Sequence, residues 1–458
     1  MKSKIEPDLT TSLGTYVRSC LELARERLSG FNSISEIAQA SDDLNAYPRL
    51  ESLSNPREVK ILDENVLGPG ALDKAREAVI EGRFFCEHTA AGEATRLKLG
   101  TKFLINPALD LTLDSIVKGL SDETGREINP DEVIKEMEVE PRDIMPLSLG
   151  GRHMLQIAFE IYRMAQEAGR DPAEVLARQK NLVVLNGQTA AEILDSFTEA
   201  NFFGFNRKNV FFMIQSIFPG INLKNGAFFF DHTSSARLHN HGQLVMQETM
   251  DDQIFFLDDS GQPNHLTASE FSSILDEVSD KISYNIEDLG YLTGAIDWPS
   301  LAMALALGDQ GFRMVMEIVA NDPERPQKGG LAAFDEILGK NVMIESFQLK
   351  NMAKEDIKFL NKNFNHFPDP RSSWQALKDS GLPMPVAVKD GYIYFQPIQG
   401  DINFLVRTSF VQRSELKPIQ AWKSAAVTPA AVKAMARQDT QKGFKEFVEK
   451  IFSGSFSI

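Results

Sequence analysis

The chain has 458 residues, long enough for two or three domains with separate cores, and its 43% hydrophobic and 24% charged residues are the balance of an ordinary globular protein. No stretch approaches the ~18 consecutive apolar residues that a membrane-spanning helix needs, so no membrane partner is expected. A formal charge of −16 excludes the broad basic surface that nucleic-acid binding requires, yet allows a local cluster of Lys and Arg around a small anion.

Residues 1–80 carry a helical pattern. MKSKIEPDLT has a basic start but no apolar run of a secretory signal. Leu13–Leu28 has apolar residues at helical spacing, and Ser33 or Ser35 is placed to cap a second helix. Gly68-Pro69-Gly70 breaks the chain before a further helix over Ala71–Ile80. Cys20 and Cys86 are the only cysteines, which gives no disulfide framework and fits a reducing, cytoplasmic setting.

From Phe84 short apolar runs alternate with helical stretches. Asn181–Leu185, Val210–Ile214, Ile282–Ile286 and Phe312–Val319 read as buried strands, with helices over Thr189–Ala200 and Trp298–Leu307. This alternation predicts parallel crossovers in a three-layer, Rossmann-like α/β domain over 81–375. Asn225-Gly226 and Asp390-Gly391 are hairpin signals. After 375 short strands lead to a final helix over Pro429–Phe452, a pattern read as a smaller α+β domain at 376–458. The charges of that helix, Asp439, Lys442, Lys445, Glu446, Glu449 and Lys450, read as a solvated face. Phe202, Phe203, Phe211, Phe212, Met213 and Phe228–Phe230 read as core residues of buried strands.

Several stretches suit chemistry. Thr89–Lys102 (TAAGEATRLKLGTK) follows the first strand of the α/β region, where loops meet ligands. Its small residues Ala90, Ala91, Gly92 and Ala94 would let backbone N–H groups approach phosphate, with Arg96 and Lys102 supplying charge; an ordinary strand-to-helix turn has the same composition. It is neither a Walker A loop nor G-x-G-x-x-G. Glu287 and Asp288 close a strand, so either carboxylate can offer oxygen to a divalent cation, and either can equally belong to a solvated acidic loop. His239 and His241 offer two imidazoles where zinc would need about four ligands. Asn186-Gly187-Gln188-Thr189 lies between strand and helix, with Thr189 placed to cap. The chain shows no Ser-His-Asp pattern of a hydrolase.

Taken together these stretches resemble the UDP-sugar pyrophosphorylases (UTP:sugar-1-phosphate uridylyltransferases). The loop at 89–102 is similar to that family's G-G-x-G-T-R-x-G and following P-K, with Thr95, Arg96 and Lys102 at its Thr, Arg and Lys. NFFGFNRKNV at 201–210 resembles F-F-G-L-x-x-x-x-V, HNHGQL at 239–244 resembles P-x-G-H/N-G-x-L, and YNIEDLG at 284–290 resembles N-x-D-N-L-G. MEIVANDPERPQKGG at 316–330, the IESFQ that starts at Ile344 and FLNKNFN at 359–365 are similar to M-E-V…K-G-G, V-E-I-x-Q and F-N-T-N-N. All fall in the family's order, over about residues 84–367.

The resemblance implies a nucleotidyltransferase (GT-A type) fold and transfer of UMP from UTP to a sugar 1-phosphate, with Mg²⁺. It implies phosphate contacts for Arg96 and Lys102 and nucleotide contacts for Ala91, Gly92, Thr95, Gln188, Thr189, His241 and Gly242. Sugar contacts fall to Gly330, Glu345 and Asn363, alongside Lys328, Gly329 and Asn361, and the metal to Asp288 or Glu287. The chain departs from the pattern at Ala91 and Ala94, which stand for glycines, at Glu93, and at Thr101, which stands for proline. The interval from Arg96 to Lys102 is one residue short, and Gln420 stands where the family has a lysine, with Lys417 and Lys423 nearby. These departures leave open a second reading, a catalytically silent binder of nucleotides or nucleotide sugars on the same fold, and a third in which the pocket serves another transfer reaction.

Overall fold

The structure, a computed structural model, describes residues 11–63, 67–92, 99–413 and 421–454. Phe84–Thr89, Lys180–Asn186 and Val210–Gln215 are buried along nearly their whole length, on both faces, a pattern stable only in a sheet covered by helices on both sides. They pair in parallel, with Thr89 opposite Val184 and Asn186 opposite Gln215. Asp280–Asn285 pairs in parallel on the other edge of Phe84–Thr89, with Asn285 level with Thr89. From there the thirteen-stranded sheet continues through Phe359–Pro368, Met314–Ala320, Thr408–Arg413 and Lys60–Leu62, and at its other end through Ile254–Leu257 and Pro263–Leu266. Phe359–Pro368 and Ile254–Leu257 run antiparallel to their neighbours, so the sheet is mixed around a parallel centre. This is the three-layer α/β architecture that the alternation of runs predicts.

Alternation along the strands sorts the core. Phe84, Cys86, Val183, Leu185 and Phe212 meet the long helix Leu149–Glu167 on one face. Phe85, Leu182, Val184, Phe211 and Met213 meet Phe271 and Trp374, from helices Ala268–Asp276 and Pro370–Ser380, on the other. A second sheet of four strands joins the hairpins Gly220–Asp231 and Val386–Phe395, whose turns carry Asn225 and Gly226 (φ 53° and 74°) and Asp390 and Gly391 (φ 53° and 80°). Helix Ser12–Leu28 covers this sheet with Tyr16, Val17, Cys20, Ala24 and Leu28, and Ser33 caps the next helix by accepting from the Glu36 N–H. The tail after 375 therefore divides between the sheets: Val386–Phe395 enters the small one and Thr408–Arg413 the large one.

Three sequence expectations are corrected. Phe229 is exposed while Phe228 is buried, because an edge hairpin covers only one face; Phe202 and Phe203 are buried in a tight left-handed turn (φ 50° and 54°) and not in a strand. The final helix is two, Thr428–Asp439 and Phe444–Phe452, divided at Gly443 (φ 84°). Nor does Asp439 face solvent: it pairs at 2.7 Å with Arg152, a guanidinium with no exposed surface that also donates to Gln438 Oε1 and the Met145 carbonyl. Spacing alone could not reveal a buried partner nearly 300 residues away.

Removing one member of a buried pair strands the other without compensation. Asp439→Ala is expected to lower unfolding free energy by about 3–5 kcal/mol, measured by urea denaturation.

Candidate functional site

The parallel strands end together at Thr89, Asn186 and Asn285, and their following loops form one cleft. After Thr89 the chain stays extended: Ala90 N–H donates to the Val184 carbonyl, and Asn186 Nδ2 donates to the Ala91 carbonyl at 2.9 Å. Lys102 N–H donates to the Gly92 carbonyl at 3.2 Å. Its side chain folds back over Gly92, so that a Cβ there would lie 3.5 Å from Lys102 Nζ. Thr95 and Arg96 lie outside the described residues.

Lys102 forms an ion pair with Glu287 Oε2, and Lys423 Nζ lies 2.7 Å from Oε1 of the same carboxylate. Asn285 Nδ2 also donates to Oε1, and Trp422 N–H donates to the Glu287 carbonyl at 2.7 Å, which pins the segment around Lys423 against the strand end. Burial alone would raise the Glu287 pKa; the bonds from Lys102, Lys423 and Asn285 outweigh it and hold the carboxyl below its ordinary value. Half-buried Asp288 is raised, first by burial and against the N–H bond from Gly290, with Glu287 pushing it up and Lys362 and Lys423 pulling it down. Lys102 and the 287–288 carboxylates thus meet in one cleft.

His241 enters the same cleft. Solvent reaches its ring, yet the walls crowd it enough that burial lowers its pKa, with Lys423 acting in the same direction and Glu87 and Glu287 opposing. Gly242 has a tighter constraint from its own chain: its N–H donates to the Pro397 carbonyl at 3.0 Å, and a Cβ would lie 2.6 Å from that oxygen and strike Ile398 N. His239 turns away into the core, where its Nδ1 meets Tyr16 OH at 3.1 Å, so the two imidazoles do not converge. Thr189 begins its helix without capping it. Its hydroxyl instead donates to Asn186 Oδ1, which also accepts from the N–H groups of exposed Gln188 and half-buried Thr189 in the turn before the helix.

The sugar set lies along the hairpin and strand beside this. Asn361 N–H donates to the Gly330 carbonyl, and a Cβ on Gly330 would lie 3.0 Å from Met343 Sδ and 3.7 Å from Glu345 Oε1. Burial raises the pKa of Glu345. The Asn363 side chain lies outside what is described. Lys362, whose charge reaches Asp288, pairs with Glu317 at 2.9 Å, and Glu317 also accepts from Arg413.

Two buried networks escaped sequence reasoning. Lys281 is held between Glu87 and Glu248, each at 2.6 Å. Ser300 Oγ, His366 and Asp280 form a line of bonds of 3.0 and 2.5 Å, so the triad absent from sequence spacing exists in space. Ser300 is only 2% exposed, which makes this line a cross-link between helix and sheet rather than a nucleophile. A charged or polar residue inside an apolar strand, such as Lys281 in DKISYN, was the only available signal.

No protein-family model and no curated protein matches the chain. Solved structures do. The UDP-N-acetylglucosamine pyrophosphorylase of Trypanosoma brucei, in complex with an inhibitor, matches with a TM-score of 0.56 at 16% identity, over 96% of this chain and 86% of that one. A mutant UDP-glucose pyrophosphorylase of Leishmania major matches with a TM-score of 0.54 at 11% identity, over 91% and 78%. The fold is therefore that of a nucleotidyltransferase-like α/β protein. Within that class the chain shares the architecture of the UDP-sugar pyrophosphorylases, at 11–16% identity. No described helix is long and apolar enough to cross a membrane.

A carboxylate with a depressed pKa stabilises the fold above its unfolded value and loses that contribution as pH falls through the folded one. Glu287→Gln should therefore cost stability at neutral pH, and its deficit against wild type should close below about pH 4, read by urea denaturation across pH. Gly242→Ala should lower stability by about 1–3 kcal/mol in the absence of any ligand, seen as a drop in Tm, because the obstruction is the Pro397–Ile398 backbone.

Proposed function

We propose that the chain transfers UMP from UTP to a sugar 1-phosphate and releases pyrophosphate. The observation that carries this reading is the convergence of Lys102 and Lys423 on Glu287, beside Gly92 at the ends of parallel strands. A sugar phosphate oxygen is already anionic when it attacks the α-phosphorus, and the bond to pyrophosphate breaks as the new P–O bond forms, so no general base is required. The chain has then to align the two anions and offset their charge. Lys102, Lys423 and Arg96 are the cations assigned to that role, with Glu287 as the anchor that holds the two lysines together. Lys423 supplies the charge that Gln420 does not. Ala91, Gly92, Thr95, Gln188, Thr189, His241 and Gly242 fall to the nucleotide, and Gly330, Glu345 and Asn363 to the sugar.

Mg²⁺ belongs to this reading. Both oxygens of Glu287 are engaged by cations and an amide, whereas Asp288 has only one oxygen engaged among the described partners, by the Gly290 N–H. Asp288 is the carboxylate that fits Mg²⁺, which when bound with substrate phosphates would offset their charge.

A silent binder of UTP or a UDP-sugar is the second reading, favoured by the same cluster: Glu287 already neutralises the lysines that the phosphates need. Pyrophosphate release from UTP, Mg²⁺ and a panel of sugar 1-phosphates separates the two. Turnover is expected, with Lys102→Met and Lys423→Met each lowering kcat/KM about 100-fold. Calorimetric binding of UTP without turnover across the panel leaves the silent binder, and absence of UTP binding sinks both.

A further inference from the structure

Asp288 apart, the carboxylates around the cleft fall into two groups. Glu87 holds Lys281, Glu287 holds Lys102 and Lys423, and Glu317 holds Lys362 and Arg413. Glu345 and Asp401 hold no cation among the described residues. Asp401 has no exposed surface, and neither of its side-chain oxygens has a hydrogen-bond partner. An acid so placed costs free energy unless something supplies a donor or a positive charge.

The chain has built Asp401 into this position firmly. Its N–H donates to the Ile398 carbonyl, in the turn whose preceding peptide packs on Gly242. Gln399 donates to Ser283 Oγ, and Asn403 is bonded to the Met343 N–H and carbonyl and to the Gly400 carbonyl. Met343 in turn lies against both Gly330 and Gly400, so one side chain separates the Glu345 corner from the Asp401 turn. Half-buried Glu345 is the outer acid and Asp401 the inner one. Their repulsion adds to burial in pushing the Asp401 carboxyl up to about 8.

We propose that Glu345 and Asp401 form an acidic end to the sugar subsite, and that the sugar phosphate it takes carries a free, positively charged amino group. This rests on the sugar-phosphate reading above. An ammonium at Glu345 is attracted by that carboxylate through a medium of low dielectric and favours ionisation of Asp401 behind it, whereas an acetamido or hydroxyl group leaves Asp401 protonated. Asp401 acts through Glu345, as a residue that sets specificity without touching the reacting phosphates. Because an ammonium favours the ionised acid, its binding should also release a proton from Asp401.

The test is calorimetry on the full chain with UTP alone, then with glucosamine 1-phosphate, N-acetylglucosamine 1-phosphate and glucose 1-phosphate, each in two buffers of different ionisation enthalpy. Wild type should bind the amino sugar about tenfold more tightly than the other two, with proton release seen only for it. Asp401→Asn should abolish the proton release and reduce the preference, and Glu345→Gln should abolish the preference; melting curves confirm that each variant is folded. Equal or tighter binding of the neutral sugars by wild type overturns the proposal, as does an Asp401→Asn variant that keeps the full preference. Mg²⁺ alone producing the same Asp401-dependent proton release overturns it too, since the acids would then be a metal site. UTP binding with no sugar phosphate bound defeats this inference alone, while loss of UTP binding defeats the reading beneath it.

Discussion

One carboxylate organises the cleft. Glu287 stands just beyond a strand end, and its two oxygens gather a lysine from each of two segments more than 300 residues apart in the chain. Left unopposed, those ammonium groups would repel each other at the end of a buried sheet. The carboxylate converts that repulsion into a fixed arrangement and fastens the segment around Trp422 to the sheet through its own carbonyl. The tether fixes where the positive charge of the cleft lies.

The tether works because the sheet is parallel here. Parallel strands end on one side, so loops distant in sequence leave from neighbouring points, with Thr89 and Asn285 in direct register. A buried sheet also forces charges that enter it to find partners inside. Lys281 does so between two glutamates, and Arg152 does so with Asp439. The molecule therefore carries much of its polar chemistry as closed pairs, and the cleft is distinguished by acids that are not closed.

That distinction explains what the sequence could reveal. Runs such as NLVVL and VFFMI, the Gly68-Pro69-Gly70 break and the two Asx-Gly turns gave strands, helices and hairpins at nearly their observed places, because each is a local signal. The meeting of Lys102 with Glu287 was reachable only through ordered resemblance along the chain, since no local rule joins residues 185 apart. Asp401, Asp439 and the Ser300–His366–Asp280 line were not legible at all. Their meaning lies in what surrounds them, and a lone acid in a polar stretch looks the same whether it faces water or a buried cation. Thr189 shows the same limit at short range: a good capping residue was present, but its hydroxyl donates to Asn186 three residues earlier and not to the cap.

The same geometry bears on how a divergent loop can still serve phosphate. Replacing glycines by Ala91 and Ala94 keeps backbone N–H groups further from an anion and weakens recognition that relies on them. Recognition by side-chain charge is less sensitive to a single Cβ, because an ammonium on a four-carbon stem can move to meet its partner. Lys102 lies across Gly92, the one glycine retained at that point, pairing with one oxygen of Glu287, and Lys423 pairs with the other. On the proposed reading, a loop with fewer backbone contacts and two lysines tethered to one acid shifts the burden from shape to electrostatics. Such a site gains tolerance in loop sequence and becomes more dependent on ionic strength and on the single acid that holds its cations in place.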